Sequence, residues 1–139
     1  MGKHELREEI FRVIFSMDAQ ILADAGTTPL KIAEDYLNDS CDEELSKTEL
    51  EYIRDKSARI GSMLGALDQE IDEIAEGWKT NRMGRAELNI LRLAVYEIRY
   101  DDEVPDKVAV NEAVELAKEY CSEDAPAFIN GILKHFVRK

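Results

Sequence analysis

Apolar residues recur along this chain at steps of three and four, the spacing that lines them up on one side of a helix. Leu6, Ile10, Val13, Ile14, Met17 and Ile21 make the first such stripe. Phe11, Phe15 and Leu22 project from a second stripe, about a quarter-turn or more away at roughly 100° per residue. A helix with two apolar faces needs two neighbours. Either it is wedged between two parts of one domain, or part of the second stripe docks a partner protein or a second copy of the chain.

Gly26, following Ala25, supplies a natural stop for this first helix. Thr28 before Pro29 predicts an N-cap followed by proline at the first helical position, opening a second helix that runs to about Leu37. After a polar loop, NDSCDEELS, the run Ser46-Lys47-Thr48-Glu49 matches a capping box. The third helix carries Leu50, Ile53, Ala58, Ile60 and Leu64, with Gly61 and Gly65 small enough to admit a close neighbour and a bend expected near Gly65. Asp68 is placed to cap a fourth helix containing Ile71, Ile74, Ala75 and Trp78, with its exit near Gly77 and Asn81. Leu88, Leu91, Ala94, Val95 and Ile98 make a fifth helix from Arg85, ended by the turn DDEVP. Asp106 is expected to cap a sixth, with Val110, Ala113, Val114, Ala117, Tyr120 and Cys121 on one face. A last helix starts near Pro126 and carries Phe128, Ile129, Ile132, Leu133 and Phe136. The pattern therefore predicts an all-α fold of about seven helices with ordinary loops, and no internal repeat.

Composition agrees with that reading and narrows function. The 139 residues are 45% hydrophobic and 35% charged, with 7 Gly and 3 Pro, which suits one globular helical domain. No apolar run approaches the roughly 20 residues of a membrane span, and the start MGKHELREE is too acidic for a signal peptide, so a cytoplasmic protein without membrane contact is expected. Cys41 and Cys121 are far apart and form no CxxC pair, so free thiols are expected. A net charge of −12 repels polyanions at long range, so any RNA binding has to be local. Local cations exist: Lys79, Arg82, Arg85 and Arg92 form one basic island, and Lys134, His135, Arg138 and Lys139 another. Solvated helix ends explain such islands equally well.

The chain carries no GxSxG, HExxH or phosphate-cradling glycine loop, so no catalytic residue and no enzyme activity is expected. No cofactor is expected, and no metal either, because His4, His135 and the two cysteines lack ligand spacing. Glu112 and Glu115 sit on neighbouring turns where a cation could bind, but a solvated face accounts for them as well.

Three stretches, NILRLAVYEI (Asn89 to Ile98), VPDKVAVNEAVELAKEY (Val104 to Tyr120) and FINGIL (Phe128 to Leu133), together resemble the NusB family of bacterial transcription antitermination factors. Upstream, LREEIFRVIFSMD is similar to that family's first helix, and YIRDKSARIGSMLGALDQEI to its third running into its fourth. The resemblance implies a single domain of two packed helical bundles, about residues 1–66 and 67–139. It also implies a role without catalysis: pairing with NusE, a ribosomal protein of the small subunit, and binding the boxA element of nascent RNA. The pair then helps RNA polymerase resist termination, notably in ribosomal RNA operons. Carried onto this chain, the family's RNA surface falls on Lys3, His4, Arg7, Asp124 and Phe128, and its NusE contacts on Phe15 and Glu87.

Elementary chemistry gives each of these a role. Cations neutralise phosphates, an exposed aromatic stacks on an unpaired base, and a carboxylate attracts a basic ribosomal protein. Each also has a plain alternative: Phe128 buried under the fold, or Glu87 a solvated neighbour of Arg82, Arg85 and Arg92. The start of the chain departs from the family's arginine-rich pattern, because Glu5, Glu8 and Glu9 interleave its bases. That leaves a second reading open, a protein-only adaptor that keeps the NusE-docking surface and has weak or lost RNA binding.

Overall fold

The computed structural model describes residues 2–23, 26–39, 45–75 and 79–137, without the side chains of 21–23. Ala25, Cys41, Gly77, Trp78, Arg138 and Lys139, and the side chains of Ile21 and Leu22, lie outside the described residues. Within them the order is α1 (Lys3–Ala23), α2 (Pro29–Asp39), α3 (Lys47–Gly61), α4 (Leu64–Ile74), a 3-10 turn (Thr80–Arg82), α5 (Arg85–Tyr100), α6 (Asp106–Tyr120) and α7 (Ala125–Leu133). No helix among the described residues is long and apolar enough to cross a membrane.

The chain divides into two compact units, Met1–Met63 and Leu64–Lys139. In the first, α1, α2 and α3 pack mutually around Ile10, Phe11, Val13, Ile14, Met17, Ile32, Ile53 and Ile60. Phe11 of the second stripe is therefore core. The helix starts follow the sequence signals closely. The Thr28 hydroxyl accepts from the Lys31 N–H at 3.2 Å ahead of Pro29. The Ser46 hydroxyl accepts from the Glu49 N–H at 3.1 Å while Glu49 accepts from the Ser46 N–H at 2.9 Å, closing both halves of the capping box.

Gly61 is where α3 comes close to its neighbours, since a Cβ there would lie 2.6 Å from Met17 Sδ and 2.8 Å from Pro29 Cβ. Gly65 has open space around it and no such role. The bend expected near Gly65 falls earlier, at Ser62 and Met63, where the Ser62 hydroxyl donates to the Arg59 carbonyl at 2.7 Å and ends α3. Accordingly α4 begins at Leu64, and Asp68 stands inside it rather than capping it.

In the second unit α4, α6 and α7 surround α5. Every residue of α5 from Leu88 to Ile98 is buried, so this helix is central and not amphipathic as its spacing suggests. Its polar members need partners inside. Arg92 donates through Nε and Nη2 to the two Asp68 oxygens, both at 2.7 Å, and through Nη1 to Asn89 at 3.0 Å. Asn89 in turn donates to the Arg85 carbonyl at 2.9 Å. At the other end Arg99 lies 4.9 Å over the Phe136 ring and 3.4 Å from Glu70. The sixth helix starts one residue before the sequence reading has it, with Pro105 at the cap and Asp106 inside the first turn.

Candidate RNA and partner surfaces

The first turn of α1 exposes Lys3, His4 and Glu5, so the lysine and the imidazole of the chain's start face solvent. Arg7 does not. It is 8% exposed, because steps of four and three place it on the same stripe as the buried Phe11 and Ile14. An exposed phosphate-binding Arg7 is thus not what the structure holds. The acids that follow are partly engaged, with Arg12 bridging Glu9 at 3.2 Å and Glu8 at 3.6 Å. Lys3 and His4 are the exposed basic residues of this segment.

Further along α1 the second apolar stripe divides. Phe11 is sealed in the bundle, whereas Phe15 is 39% exposed and meets Phe11 edge-on, ring centres 6.0 Å apart at 64°. The buried ring thus props the exposed one, which fixes Phe15 as a rigid apolar knob on the surface of the first unit.

The remaining candidates belong to the second unit. Glu87 stands at the third position of α5 and accepts from the Gly84 N–H at 3.1 Å, so its carboxylate closes the helix start. Arg92, offered as one of its neighbours, is committed to Asp68 instead. Burial and, secondarily, the Glu87 charge push the Cys121 thiol above its usual value, which sets the start of α5 beside the turn between α6 and α7. Asp124 occupies the cap position of α7 in that turn, exposed and making no side-chain cap bond. Glu87 and Asp124 therefore share one end of this unit.

Phe128 is half-buried, neither free-standing nor sealed. It lines an open cavity of about 490 Å³ with Glu73, Ile74, Ala75, Gly131, Ile132 and His135. The cavity separates the last turn of α4 from α7, and Gly131 leaves it open because nothing would meet a Cβ there. The half-buried Phe128 ring thus lines a cavity that is open to solvent. Helical spacing alone does not reveal this cavity, since it depends on how α4 and α7 meet. The His135 side chain, exposed at its rim, carries only the weak signal of a basic residue near the chain's end.

Comparison with known proteins places these surfaces in a family. The model described as the NusB family matches residues 4–138. The chain is 40% identical over 136 residues to the transcription antitermination protein NusB of Agathobacter rectalis, covering 98% of this chain and 99% of that one. It is 42% identical over 135 residues to the protein of the same name from Lachnoclostridium phytofermentans, covering 96% of each. Among solved structures, NusB of T. maritima superposes with a TM-score of 0.83 at 29% identity, covering 98% of this chain and 90% of that one.

Proposed function

This chain belongs to the NusB family, and we propose that it acts as a transcription antitermination factor that pairs with NusE and, with it, binds boxA RNA in nascent transcripts. The observation that carries the reading is the family match over nearly the whole chain, residues 4–138, with relatives of that name at 40% and 42% identity. Acting in the cytoplasm on the elongating polymerase through this pair, the protein needs no catalytic group.

The surfaces support a division of labour. Phe15 offers NusE an apolar anchor of a kind enriched at protein interfaces, and the net charge of −12 attracts a basic ribosomal protein. Lys3 and His4 neutralise phosphates, while Phe128 stacks on an unpaired base, a contact worth about 1–3 kcal/mol. Anisotropy of labelled boxA RNA tests the reading: the preformed pair should bind it more tightly than NusE alone, and Phe128→Ala should lose about 1–3 kcal/mol of that affinity. Failure of the pair to form at low salt sinks the proposal.

One observation favours the second reading, a protein-only adaptor. Arg7 is withdrawn from solvent and Glu5 stands exposed beside Lys3 and His4, so the chain's start offers RNA little net positive charge. If the pair forms but gains no RNA affinity over NusE alone, the adaptor reading replaces the first.

A further inference from the structure

Three cations, Lys79, Arg82 and Arg85, fall within one short stretch between α4 and the first turn of α5, and all three are exposed. Several of the chain's cations are met by carboxylates, as Arg12 is by Glu8 and Glu9, Lys31 by Asp35 and Arg99 by Glu70. Arg82 and Lys79 are not. Among the described residues Arg82 makes no ion pair or side-chain hydrogen bond. Lys79 donates to a backbone carbonyl, that of Asp72, at 2.7 Å.

Two nearby acids are turned onto the backbone. Asp72 accepts from the Thr80 N–H at 2.6 Å and from the Thr80 hydroxyl at 3.1 Å, and Glu87 accepts from the Gly84 N–H. The same bonds fix the segment in place, since Asp72 ties Lys79 and Thr80 to α4.

Position decides what this segment meets. Asp72 precedes Glu73, which lines the cavity with Phe128. At the opposite end of the segment, Glu87 lies close enough to Cys121 to raise its thiol, three residues before Asp124. Through Asp72 and Glu73 the cationic segment thus borders the Phe128 cavity within one unit.

We infer that Lys79, Arg82 and Arg85 form a phosphate-binding track that continues the RNA path past Phe128, supplying on the second unit the positive charge that the chain's start lacks. The inference rests on the RNA reading above. A basic ribosomal protein is a poor alternative occupant, because like charges oppose it.

The experiment titrates fluorescein-labelled single-stranded boxA RNA, and a scrambled RNA of equal length, with the preformed pair from 50 to 300 mM KCl. Single-stranded RNA loses about 0.7 in the slope of log K against log salt per phosphate contact. Arg82→Gln with Arg85→Gln should therefore flatten the slope by about 1.4, an affinity loss on the order of 25-fold at 0.1 M salt, equally for both RNAs. Arg82→Lys with Arg85→Lys should restore the slope, and Arg54→Gln, a cation paired with Asp55 on the other unit, should leave it unchanged.

An unchanged slope in the glutamine variant while wild type binds RNA overturns the inference and leaves the RNA reading intact. Weakened pairing with NusE at unchanged RNA affinity overturns it too, making the segment a protein-docking face. If the wild-type pair binds no RNA, the RNA reading fails and this inference with it.

Discussion

Removing Asp68 should destabilise the second unit by about 2–3 kcal/mol. Asp68 takes both ends of the Arg92 fork at 2.7 Å, and the Arg92 side chain is only 5% accessible while that of Asp68 is 26%. Breaking a fully buried pair costs about 3–5 kcal/mol, because the remaining charge is stranded. Water reaching the Asp68 side brings that figure down, and the surviving bond from Arg92 to Asn89 reduces it further. A lower bound comes from charged hydrogen bonds, each worth about 1.5–3 kcal/mol. Asp68→Ala should therefore lower the urea midpoint by about 1–1.5 M at an unchanged m-value near 2 kcal/mol/M, followed by circular dichroism. Amide exchange in α5 should speed up in step. Asp68→Leu with Arg92→Met should recover most of the loss, since an apolar pair of similar volume leaves nothing stranded. A single-variant loss below about 1 kcal/mol, or a double variant as unstable as the two singles added together, refutes the view that this pair is a buried clamp on α5.

Gly61→Ala sets helix propensity against packing: alanine gains about 1 kcal/mol in a helix interior, but its Cβ would stand 2.8 Å from the Pro29 ring, which cannot swing aside as the Met17 thioether can. The packing loss, typically about 1–3 kcal/mol for overpacking, should win, so thermal melting should show destabilisation; a rise in Tm contradicts the close approach of α3 to α2. In a Cys41→Ser background, Cys121 should react with iodoacetamide at pH 8 more slowly than glutathione, because burial and then the Glu87 charge raise the thiol and leave less thiolate. Glu87→Gln should speed the reaction modestly, and a rate equal to that of glutathione counts against the placement of Glu87 beside Cys121.

Much of the helical framework was legible because it is written locally. The capping box at Ser46, the Thr28-Pro29 start and the first stripe of α1 each depend on residues within a turn or two. What was not legible depends on partners far along the chain. Asp68 has a cap's chemistry and sits near a helix start, yet its partner is Arg92, 24 residues on, and no local spacing distinguishes those roles. The same holds for α5: Asn89, Arg92 and Glu97 mark a solvent face by type, but all are buried because three other helices enclose them. The exposure of Arg7 was not legible for the same reason. As an arginine at the chain's start it suggests an exposed phosphate ligand, whereas its register with Phe11 and Ile14 draws it inward. The family resemblance indicated which residues to inspect, while the packing decided which of them face solvent.

RNA binding by an anionic protein, as proposed here, has to resolve a conflict of fields. At about 0.15 M salt the Debye length is about 8 Å, so the charge of −12 spread over the surface matters less at a phosphate than what lies within two or three side-chain lengths of it. Local charge is in turn set by which carboxylates point outward. Near Arg82, Asp72 accepts from the Thr80 N–H and Glu87 from the Gly84 N–H, so each holds a turn or a helix start. Beside Lys3 and His4, Glu5 is exposed and competes with any incoming phosphate. Helix and turn capping thus has a second effect beyond stability. By fixing where Asp72 and Glu87 point, it bears on how cationic the strip of Lys79, Arg82 and Arg85 is toward a phosphate. Glu87→Gln tests that coupling: if the carboxylate's inward hydrogen bond already hides most of its charge, RNA affinity should rise by much less than the roughly fivefold expected at 0.1 M salt for one newly neutralised phosphate, while a full fivefold gain shows that the charge is felt outside.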